Sequence, residues 1–490
     1  ADNNTAVGMD ALTANTTGAD NVAFGSETMV SNTTGDANTA LGRGALASNS
    51  TADNNTAVGR SALLANTTGT RNVAVGTYSL DANTTANDNT AVGYNAATAI
   101  TTGTSNVAVG ASALLTLTTG GRNVAIGHNA LLLHTDASDN VAIGEYAGGA
   151  ITTGGQNTLV GGKAGDGITT ASSLTAFGYR ALSAPSCTGA NNTAVGTDAL
   201  LSNTTGSENV AVGTAALDAN TTGISNVAVG RIALTASTTG SSNIAVGEAA
   251  MAANTTGGDN TAVGGNALTA NTTATNNTGI GKDALKANTT GAQNTAVGAL
   301  ALDANTTAND NVAIGFGALT ANTTGAENTA VGGYGALAAN TTASYNTAVG
   351  RLALWKCTDG HSNTAVGKGA LNAHTTGDNN TAVGLNALSS QTTPGSNTAL
   401  GLNAGGNITT GGSNLCLGAG SGRTGSPGGN VTTASNGVFI GDDNISTANI
   451  QVDWTIASDA RDKTDVEPLK TGLSFINQLE PITYRWDKRS

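Results

Sequence analysis

The sequence predicts an all-β chain wound as a parallel β-solenoid of about 25 coils. Three observations carry this expectation. The element Asn-(Thr/Val)-Ala-(Val/Ile)-Gly recurs, with small variations, from Asn4 to Asn414. Its step is 17 residues everywhere except 174→192 and 328→346, where it is 18. Aromatic residues make up only 3% of the 490 residues and charged residues only 10%, too few for an ordinary globular core and surface. A fixed period is the mark of a repeat architecture. Seventeen residues are too few for two packed helices and their turns, whereas β-branched residues separated by Gly suit short strands and corners. At roughly 3.3 Å per residue one coil has a perimeter of about 55 Å, and coils stacked about 4.8 Å apart give a rod on the order of 115 Å long.

The consensus, N-T/V-A-V-G-x-x-A-L-x-A-N-T-T-G-x-x, assigns a chemistry to each column of the rod. Position 4 is always apolar (Val7, Phe24, Leu41), and position 9 is mostly Leu (Leu12, Leu46, Leu63, Leu80). Both columns are expected in the core. Position 5 is Gly in every coil, as at Gly8, Gly25 and Gly42, which a corner with positive φ or a close backbone approach would require. Position 1 is nearly always Asn and position 12 usually is, so amide ladders from coil to coil are expected. Positions 6, 7, 16 and 17 vary, hold most of the charges and should face solvent.

One covariation within the chain supports stacking. Four coils replace the Leu at position 9 by a small residue: Ala97, Gly148, Gly165 and Gly405. The same four carry Ile at position 12: Ile100, Ile151, Ile168 and Ile408. Cores accept exchanges that conserve volume, so both side chains should reach one interior space. The coil beginning at Asn106 departs from this exchange, with Leu114 and Leu117 both present.

Charge and motifs exclude several function classes. Net charge is −13; residues 458–490 hold six basic and six acidic groups, leaving 13 basic and 26 acidic in the first 457. Such an acidic rod has no clustered Lys and Arg for phosphates, so neither nucleic acid nor anionic membrane surface is an expected partner, and no run is apolar enough for membrane insertion. Cys187, Cys357 and Cys416 have no zinc or disulfide spacing and read as small buried hydrophobes. The scattered histidines His128, His134, His361 and His374 suggest no metal site; His134 and His374 stand at position 12 and read as substitutes in the Asn ladder. No cofactor is implied. Glycan hydrolysis needs two carboxylates about 5–10 Å apart, and the repeat puts Asp and Glu at variable outer positions. The paired threonines, such as Thr16 and Thr17, are neighbours in sequence and do not make an obvious two-column ice-binding face. The first strand begins almost at once in ADNNTAVG, an open edge that invites further sequence or end-to-end stacking of coils into a filament.

The repeat rod covers residues 1–418, whose coils are similar in style to the β-rolls of trimeric autotransporter adhesin heads, with a longer period, and to tail-fibre-like repeats. Residues 419–457 form a Gly/Ser-rich transition followed by a β-rich neck with Val438, Ile440, Val452, Trp454 and Ile456 apolar. Residues 458–490 change character. Ser458, Asp459, Arg461 and Lys463, then Val466, Pro468 and Leu469, give S-D-x-R-x-K followed by V-x-P-L, and GLSFINQLEPITYRW continues it. Leu469, Leu473, Ile476 and Leu479 lie at helical spacing. This pattern resembles the C-terminal intramolecular chaperone and auto-processing domain of phage tail spikes and endosialidases. The resemblance implies assembly of three chains and a self-cut between Ala457 and Ser458, with Ser458 as nucleophile and Lys463 as base. A serine hydroxyl needs a neighbour to take its proton, and burial can fit a lysine for that task. From spacing alone, Asp459 also reads as a helix cap and Lys463 as a solvated charge. The family domain runs well past the Tyr484–Trp486 segment, whereas this sequence stops at Ser490.

The expected function is an extracellular structural fibre or adhesive shaft with itself as the main partner, as a homotrimer or a head-to-tail surface filament, and a cell-surface or glycan receptor as a further one. An enzyme, glycan-cleaving or proteolytic, and an ice-binding solenoid are the rival classes.

Overall fold

The computed structural model describes residues 2–426 and 429–447. Ala1–Asp443 form one compact unit. Among the described residues there are 26 strands, from β1 (Thr5–Val7) to β26 (Val438–Ile440), most of only three residues. Each pairs in parallel with the strand one coil on, as Val210, Ala211 and Val212 do with Val227, Ala228 and Val229. The expected parallel β-solenoid with its 17-residue period is therefore the fold. The ladder also continues past residue 418: β25 (Leu415–Leu417) pairs with β26 after a longer coil, Leu415 opposite Val438.

One strand per coil leaves fourteen or so residues to turn the chain round, and three corners do it. In the coil that starts at Asn192, Asp198, Leu200 and Glu208 have φ of 58°, 51° and 60°. These are positions 7, 9 and 17, and the same three are left-handed in most coils. A side chain in this region costs roughly 1–2 kcal/mol, so a lone coil would not hold the shape; its neighbours must. Position 5 is more extreme. Gly213 has φ of 138°. A Cβ placed there would lie 2.5 Å from the carbonyl oxygen of Gly230, the same position one coil on. Gly is thus required both by φ and by close approach.

Amides tie the coils together as their columns suggest. In the coil from Asn38, the Asn38 backbone N–H donates to Asn21 Oδ1 at 2.9 Å and its Nδ2 donates to Ala52 O at 2.8 Å. Asn49 Nδ2 donates to Asn32 Oδ1 at 2.8 Å and also to Ala52 O, at 3.1 Å. The carbonyl at position 15 thus accepts from both Asn side chains of its coil. Buried polar groups are tolerated on this condition, that they are paired. At position 13 the Thr hydroxyls are used too: Thr204 Oγ1 donates to Thr221 O at 3.0 Å.

The core is narrower than the column chemistry suggests. Ala at position 3, Ala at position 8 and Leu at position 9 are buried along the rod (Ala211, Ala216 and Leu217, for example). Position 9 is inside, as expected. Position 4 is not: Phe24 and Leu400 are each 53% exposed, and Val7 and Leu41 are exposed as well. The expectation that position 4 lines the core is corrected by strand geometry. In a three-residue strand, neighbours alternate faces; with Ala at position 3 turned inward, positions 2 and 4 must both point out. The interior between stacked Leu columns has room for a methyl there.

The volume exchange between positions 9 and 12 is realised. A Cβ on Gly165 would meet Ile168 Cδ1 at 2.5 Å, and one on Gly148 would meet Ile151 Cδ1 at 3.1 Å and Leu159 Cδ1 at 2.8 Å. Isoleucine reaches across the corner into the space that leucine leaves. Leu114 and Leu117 are both fully buried, side by side with Ala97 one coil earlier.

Candidate functional site

The described residues hold two features that a featureless rod would lack: a continuous outer face and two concavities. The face is the outside of the single sheet. Position 4 supplies Val, Ile, Leu and Phe in coil after coil, and position 2 supplies Thr, Val or Ile. Side chains along its whole length are exposed or half-buried, including Phe177, Ile244, Ile280 and Ile314. Its corner at position 17 is polar. Arg71 pairs with Asp88 and Arg122 with Asp139, each at 2.6 Å and well exposed, one coil apart. The guanidinium hydrogen bonds hold the Asp88 and Asp139 carboxyls below the usual carboxylate range. Pairs this exposed add little stability; they mark the solvated border of an apolar strip.

Both concavities sit where the period slips to 18. The first, about 490 Å³, surrounds the coil from Leu174 and is polar, with Lys163, Asp166, Tyr179, Arg180 and Pro185 on its walls. The extra residue falls after Leu182, and Cys187 is drawn into the core, where it bridges to Ile168. Arg180 pairs with Asp198 at 3.3 Å and lies over the Tyr179 ring.

The second concavity, about 270 Å³, lies at the coil from Asn328 and is aromatic. Here β19 (Val312–Phe316) and β20 (Thr329–Tyr334) are longer than their neighbours, and their register slips between Ile314 and Phe316. The slip places Phe316 opposite Tyr334, ring centroids 5.9 Å apart and planes 11° apart. Trp355 closes the other side, its ring edge next to Gly335. These residues were not singled out from the sequence. The signal that would have found them was present: the two 18-residue steps, one of which falls within a run of exposed aromatics.

The remaining sequence candidates fall out as follows. Cys187, Cys357 and Cys416 are buried free thiols, and burial pushes Cys357 and Cys416 up to about 11, so neither is a nucleophile. His134 and His374 are buried at position 12, where burial lowers their pKa; each donates through Nε2 to the position 15 carbonyl of its own coil, at 2.9 Å and 2.7 Å. They stand in the Asn ladder. Among the described residues no group of three or more His, Cys, Asp or Glu could hold a metal ion, and no helix is long and apolar enough to cross a membrane. Ser458 and Lys463 lie outside the described residues.

Fold and composition define the class first: a parallel β-solenoid shaft whose last segment is of a different kind. Residues 458–490 match the family model described as chaperone of endosialidase (Peptidase_S74). No curated protein matches the chain. A β-solenoid joined to a chaperone-of-endosialidase segment supports a tail-fibre-like structural protein.

Proposed function

We propose that this protein is an extracellular adhesive shaft that associates side by side with two further copies of itself through the outer face of its sheet. The observation that carries the reading is the outward column at position 4. Twenty-five or so coils about 4.8 Å apart, two outward residues wide, give a strip of about 115 Å by about 7 Å, roughly 800 Å². That equals one partner's share of a standard stable interface. Thr fills much of position 2, and the unbroken apolar column at position 4 runs beside it for the full length, a continuity that marks a contact surface. A second copy has the same coil spacing and so matches the strip along its length. The match of residues 458–490 to the endosialidase chaperone supports assembly of three chains, as the resemblance implies, and a self-cut between Ala457 and Ser458 with Ser458 as nucleophile and Lys463 as base. The partners are then copies of the chain and a surface receptor.

Sedimentation velocity and intact mass test this together. The 490-residue chain is expected to sediment as a trimer. Val212→Glu with Val229→Glu, both at position 4 of adjacent coils, is expected to release monomer with an unchanged circular-dichroism spectrum. A monomeric parent chain defeats the proposal. Mass that grows without limit and ignores the two Glu points instead to head-to-tail filaments. Loss of the last 33 residues, abolished by Ser458→Ala, establishes self-processing; its absence removes that part alone.

A further inference from the structure

We infer that the groove between Phe316, Tyr334 and Trp355 binds a neutral hexose unit of a glycan chain. The inference rests on the adhesive part of the proposed function and is independent of how the shafts pair.

The chain has few aromatic residues, 15 in 490, of which five are Phe, seven Tyr and three Trp. Three of them line one groove, and all three are exposed: Phe316 and Tyr334 at 48% and Trp355 at 39%. The local backbone is altered to present them. An extra residue enters the coil from Asn328, and it lengthens β20 to six residues so that Tyr334 stands beside Phe316. At the left-handed corner of position 7 these two coils have Gly317 and Gly335. A Cβ on Gly317 would meet nothing within 4 Å, so the backbone there is bare and open. The result is a flat two-ring platform, an indole wall and a glycine floor.

That shape selects among ligands. An aliphatic side chain gains most from an enclosed apolar hole, and this groove is shallow. A pyranose ring has a flat face of C–H groups and a rim of hydroxyls. The platform meets the face, and the rim finds polar groups at the edges: the Tyr334 hydroxyl, the Trp355 indole N–H and Thr320, whose Oγ1 is fixed by donation to Asp303 at 2.6 Å. Sites of this kind are largely apolar with a few placed polar groups. A volume of about 270 Å³ is small and suits one or two rings. The net charge of −13 works against polyanionic ligands, and the Lys356 ammonium, 5.7 Å from the Trp355 ring centroid, is a further donor for a sugar hydroxyl.

Isothermal titration of the full chain with maltohexaose, cellohexaose and chitohexaose is the test. At least one is expected to bind, and Trp355→Ala is expected to weaken it about tenfold or more, as loss of a buried aromatic anchor does. Trp355→Phe should keep most of the affinity. Tyr94→Ala, an exposed tyrosine on a regular coil, should leave it unchanged. Thermal melting of each variant reports folding. No binding by any of the three sugars overturns the inference, and so does binding that Trp355→Ala leaves intact. A Trp355→Ala chain that loses its trimeric mass while binding sugar normally overturns it too, since the groove would then be part of the contact between copies.

Discussion

Coil 192–208 and coil 328–345 follow one consensus and differ in length by one residue. In the shorter coil the columns are in step with the coil that follows: strand register, Asn at positions 1 and 12, Leu200 in the core and Gly196 at its corner. In the longer one the same columns are kept. Thr329 still pairs with Thr347, Asn340 Nδ2 still donates to Asn322 Oδ1 at 2.7 Å, and Leu337 is still buried. The extra residue is absorbed between Gly332 and Gly335, on an outer corner whose coil-to-coil bond is kept, from the Gly335 N–H to Phe316 O at 3.3 Å. The coil from Leu174 does the same at another outer stretch, after Leu182. Stacking therefore divides the coil into buried and closely stacked positions, copied because coils on both sides hold them, and outer side chains free to change. The two concavities described lie at such outer stretches.

The sharpest way to break that division is to put the same substitution on each side of it. Gly213→Ala adds a methyl 2.5 Å from the Gly230 carbonyl at φ of 138°, and both coils would have to part. The expected cost is several kcal/mol or failure to fold, beyond the 1–3 kcal/mol of a strained backbone alone. Gly317→Ala meets open space at φ of 60°, so only the left-handed penalty of about 1 kcal/mol applies. Urea midpoints of the two variants give the comparison. Equal losses would show that corners and ladders are constrained alike.

Next in size is the exchange between positions 9 and 12. Leu234→Ala, in the coil that carries Ser237 at position 12, opens a cavity and should cost about 2–5 kcal/mol. Adding Ser237→Ile in that coil copies Ala97 with Ile100 and should return most of the loss, since isoleucine reaches that space in the natural coils. If the double variant is no more stable than Leu234→Ala, the two positions do not share one space in this coil.

Much of this was legible in the sequence, and what was not has a physical reason. Period, parallel stacking, the amide ladders, the Gly corner and the volume exchange all follow from residues that repeat because neighbouring coils demand them. The direction of position 4 was misread because an invariant apolar column suggests a core; the inward Ala beside it held the answer. The left-handed φ of position 9 was hidden by leucine, which conceals a corner that Gly148, Gly165 and Gly405 reveal. The groove was announced by the period slip. Ser458 and Lys463 are legible only through the family pattern, since a serine and a lysine five residues apart mean little by themselves.

The position 12 ladder also shows where copying stops, and what that costs. Asn runs end at Asn83, Asn220 and Asn340, ahead of Ile100, Ser237 and Cys357. Asn83, Asn220 and Asn340 each have an Oδ1 buried without a hydrogen-bond partner, and Ser237 Oγ is unpaired as well. Each run is left with an acceptor that the next coil does not meet. Ser237→Asn would donate to Asn220 Oδ1 and accept from Asn254 Nδ2, joining two runs. A gain of about 1 kcal/mol in urea unfolding is expected. No gain would mean that the gaps in the ladder are filled in another way.

The smallest effect concerns the histidines that interrupt the same ladder. His374 donates from Nε2 to Gly377 O, and its Nδ1 faces the Nε2 of Gln391, a donor, at 3.5 Å. A proton on Nδ1 would set donor against donor inside the rod. Burial accordingly lowers the pKa of His374, and of His134, below the ordinary 6.5. A histidine lowered in this way is neutral in the folded chain while the unfolded chain takes up a proton. Stability is thus full above pH 6.5 and falls as the pH drops below it, by at most about 1.4 kcal/mol per pH unit for each group until the folded pKa is reached. His374→Asn with His134→Asn restores the ladder residue and should flatten the urea midpoint between pH 7.5 and 5, while the parent chain loses stability. A parent chain equally stable at both pH values would mean that these imidazoles accept a proton where they sit, and that the column tolerates charge as its outer corners do.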